Sequence, residues 1–479
     1  MVGKNKAWLA FDLGASSGRA ILASLSEDKS RLEIQEVHRF KNAPYEKDGH
    51  WYWNYDAICN ELTAGLQKAC SMHDNIVSYS IDTWGVDYAL FKKGKIVRDP
   101  FNYRDLRNNA ALEEHQKFLS KEKFFQRNGI QPLVFNTIYQ LSAHRKEFPN
   151  DLDGAKLLLI PDALHYFLTG EETCETTEAS TGALLNPETR IWDYKSFEEI
   201  GLSKEILTKL VEPSSMGLKL RPEICKNGIY PIRSVKCCSH DTASAVLAVP
   251  VTNGKHPLYI SLGTWALLGT EMEQANTSVN ALNNGYTNSW GINRSFCFLV
   301  NIIGTWLLQE TRRVWLEQGK QISFADMERM ARESKSNTCL INPDEPQLLQ
   351  PGDMPSRIRE ICKRMGYRKP LSDAEVVRCI YDSLVQCFQK RIEGLEQITK
   401  IPYDSLNILG GGTKDTFLMQ LTANCTGKKV IAGPTEATAI GNVLTQMIAD
   451  GTIDSVQAAR ELVIRSFPVK TYFPSQTEI

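Results

Sequence analysis

Phe11-Asp12-Leu13-Gly14-Ala15-Ser16-Ser17-Gly18-Arg19 indicates the end of one strand, a tight turn and the start of the next strand. The apolar run from Ala7 to Phe11 indicates a buried strand, and Ala20-Ile21-Leu22-Ala23 begins a second strand. The tight turn predicted between them has small residues, which leave backbone N–H groups and two hydroxyls to surround an oxyanion. Asp12 ends a buried strand, where a carboxylate needs hydrogen-bond donors or a cation, and Mg²⁺ with phosphates would supply the cation. An ordinary hairpin with a capping Asp also accounts for this stretch taken alone.

The composition of the chain is that of a globular protein and disfavours several classes of partner. The 479 residues are 42% hydrophobic and 23% charged, and this length predicts two domains. A formal net charge of −1 gives no reason to expect nucleic acid or an anionic membrane as a partner. No apolar run approaches a membrane span, and the run at the N-terminus is too short for a secretory signal. The 12 cysteines form no C-x-x-C pair, so we expect reduced thiols and a cytoplasmic protein.

Predicted strands and helices alternate along the first half in the manner of an open α/β sheet. Residues 31–40 are predicted to form a third strand, 56–72 a helix with Asp56 as its N-cap, and 77–91 two strands around Gly85. Further helices are predicted from Tyr103 to about Leu119, over 161–170 and over 197–210, whereas 178–182 is predicted to be a loop. A proline-rich passage over 213–231 suggests a boundary, which gives domains 1–232 and 233–479.

The second half repeats the opening pattern. Leu258–Leu262 predicts a strand, a Gly263-Thr264 turn follows, and Ser261 falls where Asp12 lies in the first copy. Helices are then predicted over 302–319, 373–399, 416–425 and 436–450, and strands over 405–409 and 430–431. Two halves that share a strand–turn–strand start indicate an internal repeat of whole domains.

Three loops in this order predict a nucleotide site: 12–19, 261–264 and the triple glycine 410–412. A nucleotide bound between two domains needs a phosphate loop from each domain. It also needs a surface free of side chains against which adenosine can lie, and a triple glycine offers one. Each loop alone could be a plain turn, but the set of three favours the nucleotide site.

Ser239-His240-Asp241-Thr242 supplies a candidate proton acceptor. The apolar run over 245–248 predicts a helix, so Asp241 lies at or near a helix N-terminus, where the dipole favours a carboxylate in its anionic form. Phosphoryl transfer is largely positioning and charge neutralisation, with a base that orients the nucleophile. A two-lobed nucleotide cleft still lacks that base, and Asp241 would provide it. Asp241 could instead only cap the helix, and His240 alone is more often a packed histidine.

Several motifs together make the chain resemble the FGGY carbohydrate kinases of the actin-like ATPase superfamily, over nearly its whole length. The motifs lie at 12–19, 81–87, 103–105, 239–246, 263–265, 301–309 and 436–442. The resemblance implies two α/β domains of the actin and ribonuclease-H-like kind, with ATP and a sugar in the cleft between them. It also implies ATP-dependent phosphorylation of the 1-hydroxyl of the ketose L-rhamnulose, with Mg²⁺.

The resemblance also implies roles for particular residues. Asp241 would accept the proton, and Asp12 would act on the metal through water. The sugar contacts would be Gly85, His240, Asp241, Thr242 and Asn301. The ATP contacts would be Ala15, Ser16, Ser17, Gly18, Arg19, Thr264, Gln309 and Gly411. The family's adenosine segment usually runs Gly-Gly-Gly-x-x-Asn, whereas position 415 is Asp, which leaves one adenine or ribose contact open.

Other interpretations stay open at this point. Within the family, a kinase of L-fuculose or of another ketose or polyol is the nearest alternative. An actin-like ATPase that serves as a chaperone or filament protein would not need the His240-Asp241-Thr242 segment, and a sugar-sensing protein would not need complete phosphate loops. Four further features could serve the site or only the packing: Trp51-Tyr52-Trp53, Trp84, Arg104 and Trp265.

Overall fold

The structure is a computed structural model that describes residues 5–251, 256–336 and 339–475. The chain divides into two compact units. The first unit comprises Met1–Gly254, Glu271–Phe298 and Thr438–Ser466, and the second comprises Lys255–Thr270, Leu299–Ala437 and Phe467–Ile479. Among the helices of the described ranges, none combines the length and the apolar character needed to cross a membrane.

The strands of the described residues are β1 (Ala7–Leu13), β2 (Ser17–Leu25), β3 (Leu32–Lys41), β4 (Tyr45–Lys47), β5 (His50–Tyr52), β6 (Ile76–Thr83), β7 (Tyr88–Lys92), β8 (Lys95–Ile96), β9 (Lys156–Leu159), β10 (Thr173–Glu175), β11 (Leu185–Asn186), β12 (Ile191–Trp192), β13 (Lys209–Val211), β14 (Ser215–Lys219), β15 (Arg233–Lys236), β16 (Leu258–Leu262), β17 (Trp265–Met272), β18 (Tyr286–Trp290), β19 (Phe296–Ile303), β20 (Ser405–Leu409), β21 (Lys429–Ala432) and β22 (Lys470–Tyr472).

The α-helices are α1 (Tyr55–Met72), α2 (Asn108–Phe118), α3 (Lys121–Asn128), α4 (Thr137–Glu147), α5 (Pro149–Leu152), α6 (Ile160–Thr169), α7 (Thr176–Thr181), α8 (Tyr194–Glu199), α9 (Asp241–Leu247), α10 (Val279–Asn283), α11 (Trp306–Glu317), α12 (Phe324–Glu333), α13 (Met354–Arg364), α14 (Asp373–Thr399), α15 (Thr416–Thr426), α16 (Ala437–Ala449) and α17 (Val456–Ser466). Short 3₁₀ turns lie at Lys204–Ile206, Ile292–Arg294, Pro346–Leu348 and Gly411–Lys414.

The first unit is built on a six-stranded sheet in the order β14-β15-β6-β1-β2-β3. Strands β15, β6 and β1 run parallel, and β2, β3 and β14 each pair antiparallel with a neighbour. All seven residues of β1 are buried, as expected for a central strand whose apolar run is covered on both faces. Helix α1 packs on β2 and β3, and α6 and α9 pack on β6. The predicted opening strand, turn and second strand are therefore confirmed.

The second unit has a sheet in which the strands follow the order β19-β17-β16-β20-β21-β22. Strands β16, β20 and β21 run parallel, β17 is antiparallel to β16, and β22 is antiparallel to β21. This order and these directions match those of β3-β2-β1-β6-β15-β14, so the predicted repeat of a whole domain is confirmed at the level of topology. Helix α14, predicted over 373–399, has those bounds and begins with a capping box formed by Ser372 and Glu375.

Several helices begin or end elsewhere than the sequence predicts. The N-cap of α1 is Asn54, whose Oδ1 accepts the N–H of Ala57 at 2.9 Å, so the prediction of Asp56 as the cap is wrong. The helix predicted from Tyr103 begins only at Asn108, because residues 103–107 form turns in which Asp105 accepts the backbone N–H groups of Trp51 and Arg107. The helix predicted from Ile302 begins at Trp306, because β19 continues to Ile303.

Two other segments have a different secondary structure from the predicted one. Residues 178–182, predicted to be a loop, lie mostly in α7, because Glu175 caps that helix with its carboxylate. The helix predicted over 197–210 is instead the end of α8, a 3₁₀ turn and β13. Gly201, in the left-handed region at φ 69°, follows α8 and ends the helical geometry there.

The cysteines are not all reduced as predicted. Cys339 and Cys362, on α13, form a disulfide in the second unit, and Cys379 on α14 places its Sγ 3.8 Å from that of Cys362. The other ten cysteines are free thiols, and six of them are buried. Pairing between residues 23 positions apart depends on how α13 and the preceding segment pack, which no local spacing rule reveals.

Candidate active site

Three parallel strands of the first unit place carboxylates at one edge of its sheet. Asp12 lies near the end of β1, Asp82 lies opposite it in β6, and Thr83 forms a parallel bridge with His240, which follows β15. Asp241 comes next in the chain and is the first residue of α9. The carboxyl ends of parallel strands are where α/β proteins assemble binding sites. The structure thus brings the predicted residues Asp12 and Asp241 to the same edge.

Asp12 has a basic neighbour on one side and an acidic neighbour on the other. In the register of the sheet, Asp12 pairs with Arg19 of β2 and with Asp82 of β6, and an Arg19 Nη2 hydrogen bonds to Asp12 Oδ2. Asp82 is fully buried and accepts a hydrogen bond from Asn442 Nδ2 at 2.6 Å. Burial, followed by the charge of Asp12, raises the pKa of Asp82 well above its usual value. The sequence pattern does not single out Asp82 as a candidate site residue.

This pair of carboxylates fits a magnesium ion. Mg²⁺ prefers oxygen ligands, usually one or two carboxylates with water and substrate phosphates completing the shell. In the described residues Asp82 Oδ1 is buried without a hydrogen-bond partner. A buried, unsatisfied carboxylate oxygen beside Asp12 is the kind of group that a divalent cation, directly or through water, would satisfy.

The turn from Gly14 to Gly18 connects β1 to β2. Gly14 N–H donates to the carbonyl of Ser17 at 2.9 Å, and Asn42 fixes the turn from the side through its N–H to Ser16 O and its Nδ2 to Gly14 O. Ala15 and Ser17 are half-buried and Ser16 is exposed, so the turn is accessible to a ligand. Gly18 has a packing reason as well, since a Cβ there would lie 2.1 Å from Cζ of Phe40.

Asp241 is the accessible carboxylate of the site. Its side chain is 37% exposed, and its Oδ1 accepts a hydrogen bond from Thr242 Oγ1 at 3.1 Å and lies 3.5 Å from His240 Nε2. His240 is at the N-cap position of α9 without a side-chain capping bond, and burial lowers the pKa of its imidazole. Asp241 is thus at the helix N-terminus, as predicted.

The loop after β6 carries Gly85 and a strained neighbour. Val86 has φ 72°, a left-handed conformation that a β-branched residue rarely adopts. The Val86 N–H donates to Thr181 Oγ1 at 3.0 Å, and its carbonyl accepts from Thr137 Oγ1 at 2.6 Å and from Gln140 Nε2 at 3.2 Å. Such over-determined strain clusters at functional sites, which is consistent with the predicted sugar contact at Gly85.

Asp87 anchors the aromatic residues behind this loop. Its Oδ2 accepts the indole N–H groups of Trp53 at 2.6 Å and Trp84 at 3.0 Å, and burial raises its pKa to about 6. Trp53 and Trp84 are buried, with ring centroids 4.3 Å apart, so both serve the packing. Trp51 is 41% exposed and is the member of its triplet with a free face. Arg104 stacks near the Tyr103 ring and donates to its hydroxyl at 3.2 Å.

In the second unit the turn after β16 is joined to the start of α11. Gly263 O accepts from Thr305 N and from Thr305 Oγ1, at 2.9 and 2.8 Å. Thr264 Oγ1 donates to Gln309 Oε1 at 3.2 Å, and Gln309 Nε2 donates to Thr305 Oγ1 at 2.9 Å. The structure therefore brings the predicted ATP contacts Thr264 and Gln309 together. Ser261, in the position of Asp12, pairs with Leu409, so this turn lacks the acidic pair of the first unit.

The triple glycine lies against the same turn. A Cβ on Gly412 would lie 2.4 Å from Leu262 Cγ, and one on Gly410 would lie 2.9 Å from Leu262 O, so the backbones approach closely. Gly411 is exposed, and a Cβ there would meet nothing within 4 Å. The predicted ATP contact at Gly411 is therefore an open stretch of backbone beside the Gly263-Thr264 turn.

Two remaining residues of the second unit have distinct environments. Asn301 lies on β19 with a buried Oδ1 that has no hydrogen-bond partner among the described residues. Asp415 caps α15, with its Oδ1 accepting Leu418 N–H at 2.9 Å, and its Oδ2 accepts a hydrogen bond from the Tyr381 hydroxyl. Both oxygens of Asp415 thus have protein partners, so the side chain caps α15 and accepts the Tyr381 hydroxyl.

Comparison with solved structures defines the class of fold. The structure matches a ligand-bound xylulose kinase from Lactobacillus acidophilus with a TM-score of 0.80 and 16% identity, over 98% of this chain and 94% of that one. It matches Plasmodium falciparum glycerol kinase with ADP with a TM-score of 0.76 and 16% identity, over 98% and 94%. The chain therefore has the two-domain, actin and ribonuclease-H-like fold of carbohydrate kinases.

The chain belongs to the FGGY family of carbohydrate kinases. The N-terminal domain of that family matches residues 7–248 and the C-terminal domain matches residues 258–449. The chain is 39% identical to the rhamnulokinase of Enterococcus faecalis, over 98% of this chain and 94% of the relative. It is 38% identical to the rhamnulokinase of Bacillus subtilis, over 98% and 96%. The family predicted from the sequence motifs is confirmed.

Proposed function

We propose that the chain transfers the terminal phosphoryl group of ATP to the 1-hydroxyl of L-rhamnulose and so forms L-rhamnulose 1-phosphate in the breakdown of L-rhamnose. The choice of sugar is carried by one observation: relatives 35–39% identical to the chain over 98% of its length bear the name rhamnulokinase. A cytoplasmic location is part of the proposal, since ATP and a metabolic sugar would both be available there.

In this proposal Asp241 accepts the proton of the attacking hydroxyl. Its carboxylate is accessible and is the group beside which a sugar hydroxyl could be placed. His240, whose lowered pKa favours the neutral imidazole, Thr242 and Gly85 would contact the sugar from the first unit, and the unpartnered amide oxygen of Asn301 would do so from the second. A neutral imidazole both donates and accepts hydrogen bonds, which suits sugar hydroxyls.

ATP would be held by the two turns and the glycine backbone. Ala15, Ser16, Ser17, Gly18 and Arg19 in the first unit would contact its phosphates, and Thr264, Gln309 and Gly411 in the second would contact its phosphates and adenosine. Asp12, acting through water, and the neighbouring Asp82 would hold Mg²⁺. The ion would offset negative charge on the phosphoryl group during transfer.

The division of labour follows the predicted domains. Residues 1–232, the predicted sugar-binding domain, would supply Gly85 and the first phosphate loop. Residues 233–479 would supply the ATP site and also the sugar contacts His240, Asp241, Thr242 and Asn301, with both substrates in a cleft. Closure of that cleft would expel water and so suppress ATP hydrolysis without sugar. A sugar-independent ATPase rate equal to the kinase rate would contradict this step.

A substrate panel tests the proposal. Purified protein is incubated with ATP, Mg²⁺ and each of a set of ketoses and polyols that includes L-rhamnulose and L-fuculose, and ADP release is coupled to a spectrophotometric readout. We expect the highest kcat/KM with L-rhamnulose and a 1-phosphate product by NMR. A higher kcat/KM with L-fuculose would make L-fuculose the substrate in place of L-rhamnulose. A rate of ADP release that no sugar changes would indicate an ATPase that is not a kinase.

A further inference from the structure

The segment that carries the chain into Asp241 is anchored on β6 along one side. Cys237, Cys238 and Ser239 are fully buried. The Cys237 N–H donates to Ser80 Oγ at 3.0 Å, and the Ser239 carbonyl accepts from the N–H of Thr83 at 2.9 Å. These bonds extend the parallel pairing of β15 with β6, so this side of the segment is set by the sheet.

The other side of the segment is anchored by side chains that begin α7. The Ser239 N–H donates to Glu175 Oε2 at 3.0 Å, and the His240 N–H donates to Thr177 Oγ1 at 3.3 Å. The two acceptors are themselves joined, because Thr177 Oγ1 donates to Glu175 Oε2 at 2.5 Å. The backbone immediately before Asp241 is thus held by side-chain oxygens rather than by a second strand.

Glu175 is surrounded by donors. Its Oε1 accepts the N–H of Thr177 at 2.8 Å, and its Oε2 accepts the N–H of Glu178 at 3.1 Å in addition to the bonds from Thr177 Oγ1 and Ser239 N. The residue is fully buried. An ionised carboxylate only accepts hydrogen bonds, and its two oxygens can accept several at once. The carboxylate of Glu175 therefore both caps α7 and holds the backbone of Ser239.

A buried ion pair completes a ring around the segment. Lys236, the last residue of β15, places its Nζ 2.8 Å from Asp162 Oδ1, and Asp162 accepts the backbone N–H of Glu175 at 3.1 Å. Glu175 in turn accepts from Ser239, three residues after Lys236. The ring therefore fixes the ends of the segment 236–239 against α6 and α7. Breaking one member of such a buried network costs more than the bond alone.

We propose that Glu175 is a positioning residue for phosphoryl transfer: its carboxylate, through Ser239, fixes where Asp241 presents its oxygen to the sugar. The inference rests on the proposed role of Asp241 as proton acceptor. The side chain of Asp241 contacts its two neighbours in the chain, Thr242 and His240, so its place depends on the backbone that carries it. A displacement of about 1 Å in a reacting group costs on the order of 10²-fold in rate.

The decisive variant is Glu175→Ser, because serine retains the capping of α7 and lacks the length to reach Ser239. We expect kcat to fall by about 10- to 100-fold while KM for the sugar and for ATP stays within about threefold. Glu175→Gln, whose amide oxygen can take the place of Oε2, should recover most of the lost kcat. A kcat within threefold of the parent for Glu175→Ser, or a Gln variant no more active than the Ser variant, would overturn the proposal.

Glu178→Gln is the matched control. Glu178 lies three residues after Glu175 and is equally buried, and its carboxyl oxygens have no hydrogen-bond partner within the described residues. Its kcat should equal that of the parent within about twofold, whereas an equal loss in both variants would indicate only a damaged core and would count against positioning.

A second pair of variants decides the matter if Glu175→Ser does not fold. Thr177→Val removes the hydroxyl that holds His240 N–H, and Thr177→Ser restores it; kcat should fall in the first variant and recover in the second. Asp241→Asn in the same series distinguishes the proposed proton-acceptor role of Asp241 from the proposed positioning role of Glu175. If Asp241→Asn keeps its turnover, the proton acceptor is wrong; if it loses turnover while the Glu175 and Thr177 variants keep theirs, only the positioning role is wrong.

Discussion

Asp241→Asn removes the proposed proton acceptor and leaves its shape in place. In the parent, Thr242 Oγ1 donates to Asp241 Oδ1 at 3.1 Å, and asparagine retains an oxygen that can accept this bond. The Asp241 side chain is 37% exposed. The free energy of unfolding should therefore change by less than about 0.5 kcal/mol. A positioned general base contributes about 10²- to 10⁴-fold in rate, so kcat should fall by that factor, which corresponds to about 3–5 kcal/mol of activation free energy.

The assay for Asp241→Asn measures ADP release at saturating ATP and ketose, and calorimetry measures ADP affinity. ADP should bind as tightly as to the parent, because the carboxylate of Asp241 faces the sugar in our proposal. Asp28→Asn is the matched control, since it removes one fully exposed negative charge from the turn between β2 and β3, and its kcat should equal that of the parent. A near-normal kcat for Asp241→Asn would refute the assignment of the base.

Three further predictions concern the metal, the glycines and a buried acid. Asp12→Asn should raise the Mg²⁺ concentration for half-maximal activity by about tenfold or more and leave sugar affinity, measured by calorimetry, unchanged. Gly18→Ala should lower the free energy of urea unfolding by about 1–3 kcal/mol because its Cβ would lie 2.1 Å from Phe40, whereas Gly411→Ala, with nothing within 4 Å, should leave stability unchanged and weaken ATP binding. Burial raises the pKa of Asp87 from 3.8 to about 6, so its contribution to stability is complete below pH 3.8 and is lost as the pH rises through 6. Asp87→Asn should therefore remove a fall of up to about 3 kcal/mol in unfolding free energy between pH 4 and 7, and an unchanged slope would contradict this account.

The parts of the fold that could be predicted are those with a strong local signal. Strand β1 is an apolar run in which every residue is buried, and α14 is a 27-residue helix that begins with a capping box. The type of both elements can therefore be predicted from the local sequence. The strand–turn–strand pattern around Gly14 and Gly263 also predicted the repeat, because the topology of the second sheet follows from the same pattern.

The errors lie where tertiary contacts decide a local choice. Residues 178–182 have hydroxyl-rich, loop-like sequence, yet α7 forms there because Glu175 caps it and is itself held by Ser239, more than sixty residues later in the chain. The start of α2 is delayed because Asp105 is engaged with Trp51. Neither partner can be identified from the local window, so propensity alone gives the wrong boundary.

The candidate site shows the same limit in chemical terms. Asp12 and Asp241 could be proposed as site residues from the sequence. Asp12 ends a run of apolar residues, where a carboxylate is costly without a partner, and Asp241 begins a helix. Asp82 lies inside a fully buried stretch of β6, and no local pattern singled it out, although it belongs to the motif at 81–87. Its importance appears only in the register of β1 against β6, which sets Asp82 opposite Asp12 and leaves one of its oxygens without a partner among the described residues. A buried acid that no neighbour neutralises is costly unless a ligand compensates it, so our proposal of a metal at this edge of the sheet depends on the register of two strands rather than on either strand alone.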